Sequence, residues 1–323
     1  MRAVVVKEFG GPEQLSITDL PNPQPGPGEV LIAVRATALN RADLLQRRGL
    51  YPPPPGATCV LGLECAGVVR ALGPGVTTRK LGERVMALLP GGGYAEQVTV
   101  SERLAVPIPE GMSFTDAAAI PEAFLTAQEA LFTLGDSKPG QRVLIHAAAG
   151  GVGSAAVQLA RRAGARVAAT AGSEAKCELA RELGAELAIN YREAAFGSAC
   201  REAFGGVDLV LDFVGGSYWE EHAKLLAEGG RLVVIGVLGG AKATVNLGQL
   251  LARRLQILGL VMRSRSLEDK TAITERFVAK SLPGFVSGEL EPVLDRVFTL
   301  EEVRLAHERM EQNLNLGKIV LEV

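Results

Sequence analysis

Short apolar runs alternate with helical patterns across the middle of the chain. The strand-like runs comprise residues 143–145, 166–171, 187–190, 207–212, 231–236 and 256–261. Segments between them, such as residues 154–160, 174–183 and 218–226, place apolar positions at helical spacing. Six runs of the βα type predict a doubly wound parallel sheet, which is an α/β fold.

A glycine-rich turn follows the first of these predicted strands. Residues 146–153 read HAAAGGVG, and a helical pattern begins at residue 154. In such a turn a glycine lets the backbone approach a pyrophosphate, and the free N–H groups of the helix N-terminus attract its charge. Ala148 stands at the first glycine position of the usual G-x-G-x-x-G motif, so the glycine pattern here is incomplete. The strand–turn–helix context supports the motif instead. We expect a dinucleotide to be bound by Gly150, Gly151, Val152 and Gly153.

The end of the second predicted strand indicates which dinucleotide binds. An acidic residue about twenty positions past the glycine turn would grip the ribose hydroxyls of NAD. Here that place holds Gly172 and Ser173, with Lys176 one turn later, and these groups can donate to a 2′-phosphate. The sequence therefore favours NADPH. Glu174 lies close to this place, so NAD remains an alternative. Lys176 could also be an ordinary solvated residue of the helix.

Composition and charge limit the other possibilities. The 323 residues suit two domains, and 47% hydrophobic residues provide ample core material. A net charge of -2 argues against nucleic acid as the main partner and provides no polybasic membrane patch. The first seven residues form a strand-like start without a signal-peptide layout, and no apolar run approaches a membrane span. We expect a cytoplasmic protein with a small-molecule partner.

Cysteine and histidine spacing gives no sign of a metal site. Cys59, Cys65, Cys177 and Cys200 form no C-x-x-C pair, so reduced thiols are expected rather than disulfides or a zinc ribbon. The three histidines, at positions 146, 222 and 307, fall in separate segments without ligand spacing. They are expected to be ordinary surface or core residues.

The first 120 residues have a different texture. They are rich in Pro and Gly, and valine-rich segments such as residues 29–34 and 65–69 lie between turns. Short strands separated by turns predict a small, mostly β domain ahead of the nucleotide-binding domain.

Motifs spread over the whole chain resemble the medium-chain dehydrogenase/reductase superfamily. They are NRAD at residues 40–43, LGLECAG at 61–67, GERV at 82–85, IPEG at 108–111, AGGVG at 149–153 and GKIVL at 317–321. The segments YPPPPG at 51–56, ALLPGGG at 87–93 and GGSYW at 215–219 resemble its NADPH:quinone oxidoreductase branch, especially the tumour-suppressor-inducible quinone reductases of animals. The resemblance implies a GroES-like catalytic domain, residues 1–121 and 265–323, and a Rossmann domain, residues 122–264, with the active site in the cleft between them.

The zinc ligands of the alcohol dehydrogenases in this superfamily have no counterparts here. Those places carry Asn40, Leu63 and Glu122. Leucine cannot bind zinc, an amide is a poor substitute for a thiolate, and one carboxylate does not make a site. We therefore expect no metal.

Without a metal, the feasible reaction is hydride transfer to an acceptor that delocalises the developing negative charge, such as a quinone or an activated alkene. Asn40 and Tyr51 are the candidate catalytic residues. The resemblance places Asn40 beside the nicotinamide and Tyr51 on the loop lining the acceptor pocket, where its phenol donates to a reducing oxygen. Alternatively, Tyr51 stacks in a rigid turn before four prolines. Asp43 is expected to make a structural hydrogen bond rather than to act as an acid.

The resemblance also implies a set of cofactor contacts beyond the glycine turn. For two of these residues the sequence leaves another interpretation open. Arg263 could belong to a solvated run of arginines, and Phe213 could be a core residue. The implied contacts are Asn40, Thr126, Gly172, Ser173, Lys176, Tyr191, Phe213, Gly236, Val237, Arg263, Asn315 and Lys318.

The last predicted strand, residues 256–262, lies at a sheet edge and is apolar. Family members commonly pair this edge across a twofold axis, so we expect a homodimer. The leading function is NADPH-dependent quinone reduction without flavin. An alkenal, enone or enoyl-thioester reductase of the same fold is the second hypothesis, and a non-catalytic NADPH-binding protein is the third.

Overall fold

The computed structural model describes residues 1–323 and divides into two compact units. Unit 1 comprises Met1–Leu125 and Met262–Val323, and unit 2 comprises Thr126–Val261. The boundaries lie after residue 125 and before residue 262, where the sequence led us to expect 121 and 265. The first boundary falls within a helix, which gives no composition change to mark it.

The first segment of unit 1 is mostly β-structure. Asn40 is the N-cap residue of its first helix, where the Asp43 carboxylate accepts the Asn40 backbone N–H at 2.8 Å. The elements are β1 (Arg2–Val6), β2 (Leu15–Asp19), β3 (Glu29–Ala38), α1 (Arg41–Arg47), β4 (Glu64–Leu72), β5 (Arg84–Leu88), β6 (Gln97–Ser101), β7 (Ala105–Pro107), α2 (Phe114–Ala118) and α3 (Pro121–Gln128).

Unit 2 alternates strands and helices. It begins in α3, which continues into a π-helical turn, Glu129–Leu134. Its further elements are β8 (Arg142–Ile145), α4 (Gly151–Arg162), β9 (Arg166–Ala171), α5 (Glu174–Glu182), β10 (Leu187–Asn190), α6 (Phe196–Phe204), β11 (Val207–Asp212), α7 (Trp219–Leu225), β12 (Leu226–Val234), α8 (Leu247–Arg253) and β13 (Gln256–Gly259).

The six strands of unit 2 form one parallel sheet. Their order is β10-β9-β8-β11-β12-β13, and every neighbouring pair is parallel. The order is the doubly wound 3-2-1-4-5-6 arrangement. Buried apolar side chains of the strands and of a covering helix, such as Leu144, Val210 and Phe196, pack into one hydrophobic cluster. The predicted parallel sheet is confirmed.

The fifth strand of this sheet differs from its predicted bounds. The sequence predicts a strand over residues 231–236, whereas β12 begins at Leu226 and ends at Val234. Ile235 and Gly236 leave the ladder because both of their N–H groups donate to the carbonyl oxygen of Asp212, at 2.7 and 3.2 Å. The sixth strand likewise ends at residue 259 rather than 261.

The second segment of unit 1 contributes α9 (Leu267–Lys280), α10 (Leu282–Ser287), β14 (Leu294–Thr299), α11 (Val303–Glu311) and β15 (Lys318–Glu322). The last strand pairs with β3, so both segments share one seven-stranded sheet. Its main path runs β14-β15-β3-β4-β5-β7, and β6 pairs with β3. The two segments of unit 1 are thus joined through the centre of this sheet.

The helices of the chain are all too short or too polar to span a bilayer.

Candidate functional site

The glycine turn of unit 2 connects β8 to α4. Gly150 occupies the N-cap position of the twelve-residue helix α4, and no side chain caps the helix. The turn is closed by the N–H of Gly150, which donates to the Ala147 carbonyl oxygen at 2.9 Å. Ala147 itself has a φ of 49°, a conformation that L-residues other than glycine seldom adopt. The turn therefore presents the uncapped start of a helix, where an anion is favoured.

Gly153 is required by the close approach of α4 to this turn. A Cβ atom at Gly153 would lie 2.2 Å from the Ala147 carbonyl oxygen and 2.8 Å from the Cα atom of Ala148. Both are backbone atoms and cannot move aside without breaking the turn. Only glycine at this position therefore allows the helix to pack this closely against the turn.

The end of β9 brings Gly172, Ser173 and Lys176 together. Ser173 is the N-cap of α5, and its Oγ accepts the backbone N–H of Lys176 at 3.4 Å. A Cβ atom at Gly172 would lie 2.7 Å from the Tyr191 hydroxyl oxygen, so that ring covers the glycine. The neighbouring Glu174 carboxylate is paired with Arg181 at 2.6 Å. This carboxylate is thus directed along the exposed face of its own helix.

The loops after β11 and β12 lie side by side in unit 2. The Asp212 carboxylate accepts the N–H groups of Val214 and Gly215 at 2.7 and 3.0 Å, which fixes the turn that follows Phe213. The N–H of Leu238, next to Val237, donates to the Phe213 carbonyl oxygen at 3.2 Å. Both loops follow the carboxyl ends of neighbouring parallel strands, where doubly wound sheets bind ligands.

Two buried histidines meet in the core of unit 2. The Nε2 atoms of His146 and His222 lie 2.7 Å apart, and the His146 Nδ1 lies 2.8 Å from the Thr170 hydroxyl oxygen. Burial lowers the pKa of His222 to about 4 and that of His146 well below its usual value. These are core residues, one of the two alternatives that the sequence left open.

Two other residues of the predicted cofactor set carry unsatisfied polar atoms. The Oγ1 of Thr126 in unit 2 is buried without a hydrogen-bond partner, as is the Nη2 of Arg263 in unit 1. Buried polar groups are normally paired, so an unpaired one calls for a ligand or a water. In unit 2, the unpaired Thr126 hydroxyl and the glycine turn fit a bound dinucleotide.

In unit 1, Asn40 lies at the centre of a hydrogen-bonded cluster. Its Nδ2 donates to the Glu64 Oε1 at 2.8 Å, and its Oδ1 accepts from the Lys318 ammonium at 2.7 Å. Lys318 also contacts the same Glu64 oxygen at 2.7 Å. Glu64 and Lys318 are almost completely buried. The cluster brings together residues that are 24 and 254 positions apart in the chain.

Asp43 supports this cluster from the start of α1. Its carboxylate accepts the N–H groups of Asn40 and Gly62 and the hydroxyl of Tyr94. Complete burial raises the pKa of Asp43 to about 6, even though these donors lower it. The Tyr94 hydroxyl oxygen also lies 3.4 Å from the Nε2 of His307, the third buried histidine. The geometry gives Asp43 a structural role.

Tyr51 is held by Arg263. The guanidinium of Arg263 lies over the Tyr51 ring, with its Cζ 5.3 Å from the ring centroid, and its Nη1 donates to the Tyr51 carbonyl oxygen at 3.2 Å. The Nε donates to the Pro90 carbonyl oxygen at 2.7 Å. Partial burial and the neighbouring Glu122 raise the pKa of Tyr51, so the phenol is protonated at neutral pH. Arg263 is buried, so the interpretation of its arginine run as a solvated face does not hold at this position.

Glu122 lies at the start of α3, and its backbone N–H donates to the Glu64 Oε2 at 2.8 Å. Desolvation and the Glu64 carboxylate raise the pKa of Glu122 to about 8, against the attraction of Lys318 and Lys270. Asn315, the remaining residue of the predicted set, donates from its Nδ2 to the Gly317 carbonyl oxygen at 2.8 Å.

Sequence reasoning did not include Glu64 among the site residues. It stands in the motif LGLECAG, where one carboxylate lies within an apolar segment at the start of a strand. A lone acid in an apolar run is the signal that could have identified it, because a buried charge needs a partner. Its partners could not be predicted from the sequence, because Asn40 and Lys318 come from distant segments of the chain.

Comparisons with known proteins agree with this geometry. Residues 26–110 match the family model described as an alcohol dehydrogenase GroES-like domain, and residues 151–278 match the model described as a zinc-binding dehydrogenase. A rat synaptic vesicle membrane protein VAT-1 homolog is 35% identical over 99% of this chain and 84% of its own length. A rat quinone oxidoreductase is 33% identical over 99% of this chain and 97% of its own length.

Solved structures give the same picture. The quinone oxidoreductase of Thermus thermophilus, solved alone and with NADPH, is 39% identical with a TM-score of 0.85 over the full length of both chains. An NAD-dependent alcohol dehydrogenase is 36% identical with a TM-score of 0.88, also over both full chains. The CurK enoyl reductase is 32% identical with a TM-score of 0.88, over 99% of this chain and 98% of its own.

The zinc named by one family model does not fit the residues present here. Of the three places that the resemblance assigns to zinc ligands, Leu63 is a buried apolar side chain. The Asn40 Oδ1 already accepts from an ammonium, whose charge would repel a divalent cation. No group of three or more His, Cys, Asp or Glu side chains is placed to hold a metal ion.

A GroES-like domain, a Rossmann-type parallel sheet and quinone oxidoreductase relatives along the full chain lead to one assignment. The protein belongs to the medium-chain dehydrogenase/reductase superfamily of oxidoreductases, in its quinone oxidoreductase branch.

Proposed function

We propose that this protein is an NADPH:quinone oxidoreductase that works without zinc or flavin. The observation that carries the proposal is which hydrogen-bond donors and metal ligands unit 1 offers. An ammonium engages Asn40, and Leu63 offers no ligand, whereas Tyr51 offers a protonated phenol. The Tyr51 hydroxyl can stabilise negative charge on an acceptor oxygen by hydrogen bonding, a role that needs no metal. The quinone oxidoreductase relatives support the same acceptor class.

NADPH rather than NADH is proposed from the end of β9. Ser173 and Lys176 offer a hydroxyl and an ammonium for a 2′-phosphate. Glu174, the residue that kept NAD as an alternative, is occupied by Arg181. Similar structures include both an NADPH complex and an NAD-dependent enzyme, so this chain's own residues must decide.

We further propose that the nucleotide-binding residues are those expected from the sequence, except Lys318. They are Asn40, Thr126, Gly150, Gly151, Val152, Gly153, Gly172, Ser173, Lys176, Tyr191, Phe213, Gly236, Val237, Arg263 and Asn315.

A bound NADPH would supply a hydride to the acceptor. The glycine turn would hold its pyrophosphate, so that binding would fix the distance and orientation before the chemical step. The Tyr51 hydroxyl donates a hydrogen bond to the acceptor oxygen as negative charge develops there. The raised pKa of Tyr51 keeps this donor protonated, and the Arg263 guanidinium over its ring fixes the loop.

The first test is acceptor choice by the purified, metal-stripped protein. We expect NADPH oxidation at 340 nm to be faster with an ortho-quinone than with an enal, because a quinone spreads the developing charge over both oxygens. NADH should be a poorer donor with either acceptor. Faster turnover of the enal would favour the second candidate, an enone or enoyl-thioester reductase, which the CurK neighbour supports.

Lys176→Ala tests the cofactor choice. Loss of a charge-assisted hydrogen bond to the 2′-phosphate is expected to raise the KM for NADPH by about tenfold or more. The KM for NADH should not change, because NADH lacks that phosphate. Lys224→Ala, an exposed lysine on α7, is the matched control and should leave both values unchanged. An equal effect on NADPH and NADH would show that Lys176 does not read the phosphate.

Tyr51→Phe tests the proposed donor. Removing one hydrogen bond to a charged oxygen is expected to lower kcat by about 10- to 100-fold. The Kd for NADPH, measured by fluorescence titration, should stay at the wild-type value. An unchanged kcat would instead favour the view that Tyr51 only stacks in its proline-rich turn.

We also propose that the protein is a homodimer through β13. This strand pairs only with β12, so its other edge is open, and Ile257 on it is 43% exposed. An open apolar edge invites pairing with a second copy. Wild-type protein is expected to elute with light scattering at about twice the chain mass, and Ile257→Lys to shift it towards the monomer. A monodisperse wild-type monomer at micromolar concentration would contradict this assembly.

A further inference from the structure

The Lys318 ammonium is enclosed by oxygen atoms of its own unit. It donates to the Leu39 carbonyl oxygen at 2.8 Å, to the Asn40 Oδ1 at 2.7 Å and to the Glu64 Oε1 at 2.7 Å. An ammonium carries three N–H groups, so all of its donors are used. Only 4% of the residue is exposed. No donor of Lys318 is therefore left for a phosphate of the cofactor.

This arrangement leaves the Asn40 side chain one orientation. Its Nδ2 donates to the Glu64 carboxylate at 2.8 Å and more weakly to the Ala38 carbonyl oxygen at 3.3 Å. Turning the amide by half a rotation would place its NH₂ against the ammonium and its oxygen against the carboxylate. Both contacts would be repulsive, so the pair of opposite charges fixes the amide.

The Glu64 carboxylate holds the cluster in place. Its Oε1 accepts from Lys318 and Asn40, and its Oε2 accepts the backbone N–H of Glu122 at 2.8 Å. The residue is completely buried, and its charge is balanced by the one ammonium bonded to it. These bonds connect the start of β15, the residue before α1 and the start of α3.

We propose that Lys318 is a positioning residue. Its ammonium is the positive charge of the site, orients the Asn40 amide and does not contact the nucleotide. The ammonium is attached to the chain and lies within bonding distance of a residue that the superfamily resemblance places among the zinc ligands. It supplies a fixed positive charge where a divalent ion would otherwise be attracted. The proposal replaces the cofactor contact expected for Lys318 and rests on the proposed function only for the role of Asn40.

The test is a double-mutant cycle between Lys318→Met and Asn40→Ala, read by kcat and by the Kd for NADPH. Each single variant is expected to lower kcat by roughly 10- to 100-fold, because a misplaced group near the reacting atoms is costly. In the Asn40→Ala background, Lys318→Met should cause no further loss, since Lys318 acts through that amide. In the same Asn40→Ala background, Lys318→Met should also leave the Kd for NADPH unchanged, because Lys318 makes no contact of its own with the nucleotide.

Lys318→Met alone leaves a buried carboxylate without its counter-charge and is expected to lower stability. Lys318→Met combined with Glu64→Gln removes both charges, and this variant keeps the test valid if the single variant does not fold. We expect its thermal midpoint to lie above that of Lys318→Met, its kcat to remain low and its Kd for NADPH to be no higher than that of Asn40→Ala. Lys7→Met, an exposed lysine of unit 1, controls for the loss of an ammonium.

Two results would overturn the proposal. A Kd for NADPH raised about tenfold or more when Lys318→Met is added to the Asn40→Ala background would show that Lys318 binds the nucleotide directly. Independent, multiplying losses of kcat in the cycle would show that Lys318 does not act through Asn40. The Kd measurement needs no acceptor, so it decides the first point even if the wild-type protein reduces no quinone, which would refute the proposed function alone.

Discussion

The buried carboxylate of Glu64 is the constraint on which the architecture of unit 1 depends. A charge with no solvent contact must be paired and hydrogen-bonded, and Glu64 achieves this with one ammonium, one amide and one backbone N–H. One ammonium cannot neutralise further acids nearby. Burial therefore raises the pKa of Asp43 to about 6 and that of Glu122 to about 8. The site thus combines one ion pair with two carboxyl groups whose pKa values lie much closer to neutral pH than usual.

Unit 2 depends on a different constraint, the close approach of backbone to backbone. The glycine turn follows β8, whose neighbours in the sheet are β9 and β11, so it lies where the strand order reverses. Gly153 allows α4 to contact the turn, and Ala147 adopts a left-handed conformation to close it. The geometry that admits a pyrophosphate is therefore made by main-chain packing and needs no charged side chain.

The sequence predicted the strands and the glycine turn of unit 2 but not the partners of Glu64 in unit 1, for a physical reason. Buried parallel strands read as short apolar runs, so β9, β10 and β11 have the predicted bounds. The start of β12 was missed because Glu228, Gly229 and Gly230 do not resemble a strand. The glycine turn is local and could be predicted, whereas the partners of Glu64 come from sequence positions 40 and 318 and become neighbours only when β15 pairs with β3.

The surroundings of the two facing histidines of unit 2 favour one direction of hydrogen bonding. A single proton lies between their Nε2 atoms, 2.7 Å apart, and the remaining His222 Nδ1 lies 3.8 Å from the Asp212 carboxylate. A lone pair facing that carboxylate would be repelled, so the His222 Nδ1 carries the hydrogen and its Nε2 accepts from His146. The His146 Nδ1 then accepts from the Thr170 hydroxyl. The Asp212 carboxylate thus favours one tautomer of each ring, and the short contacts run from Thr170 on β9 through His146 to His222 on α7.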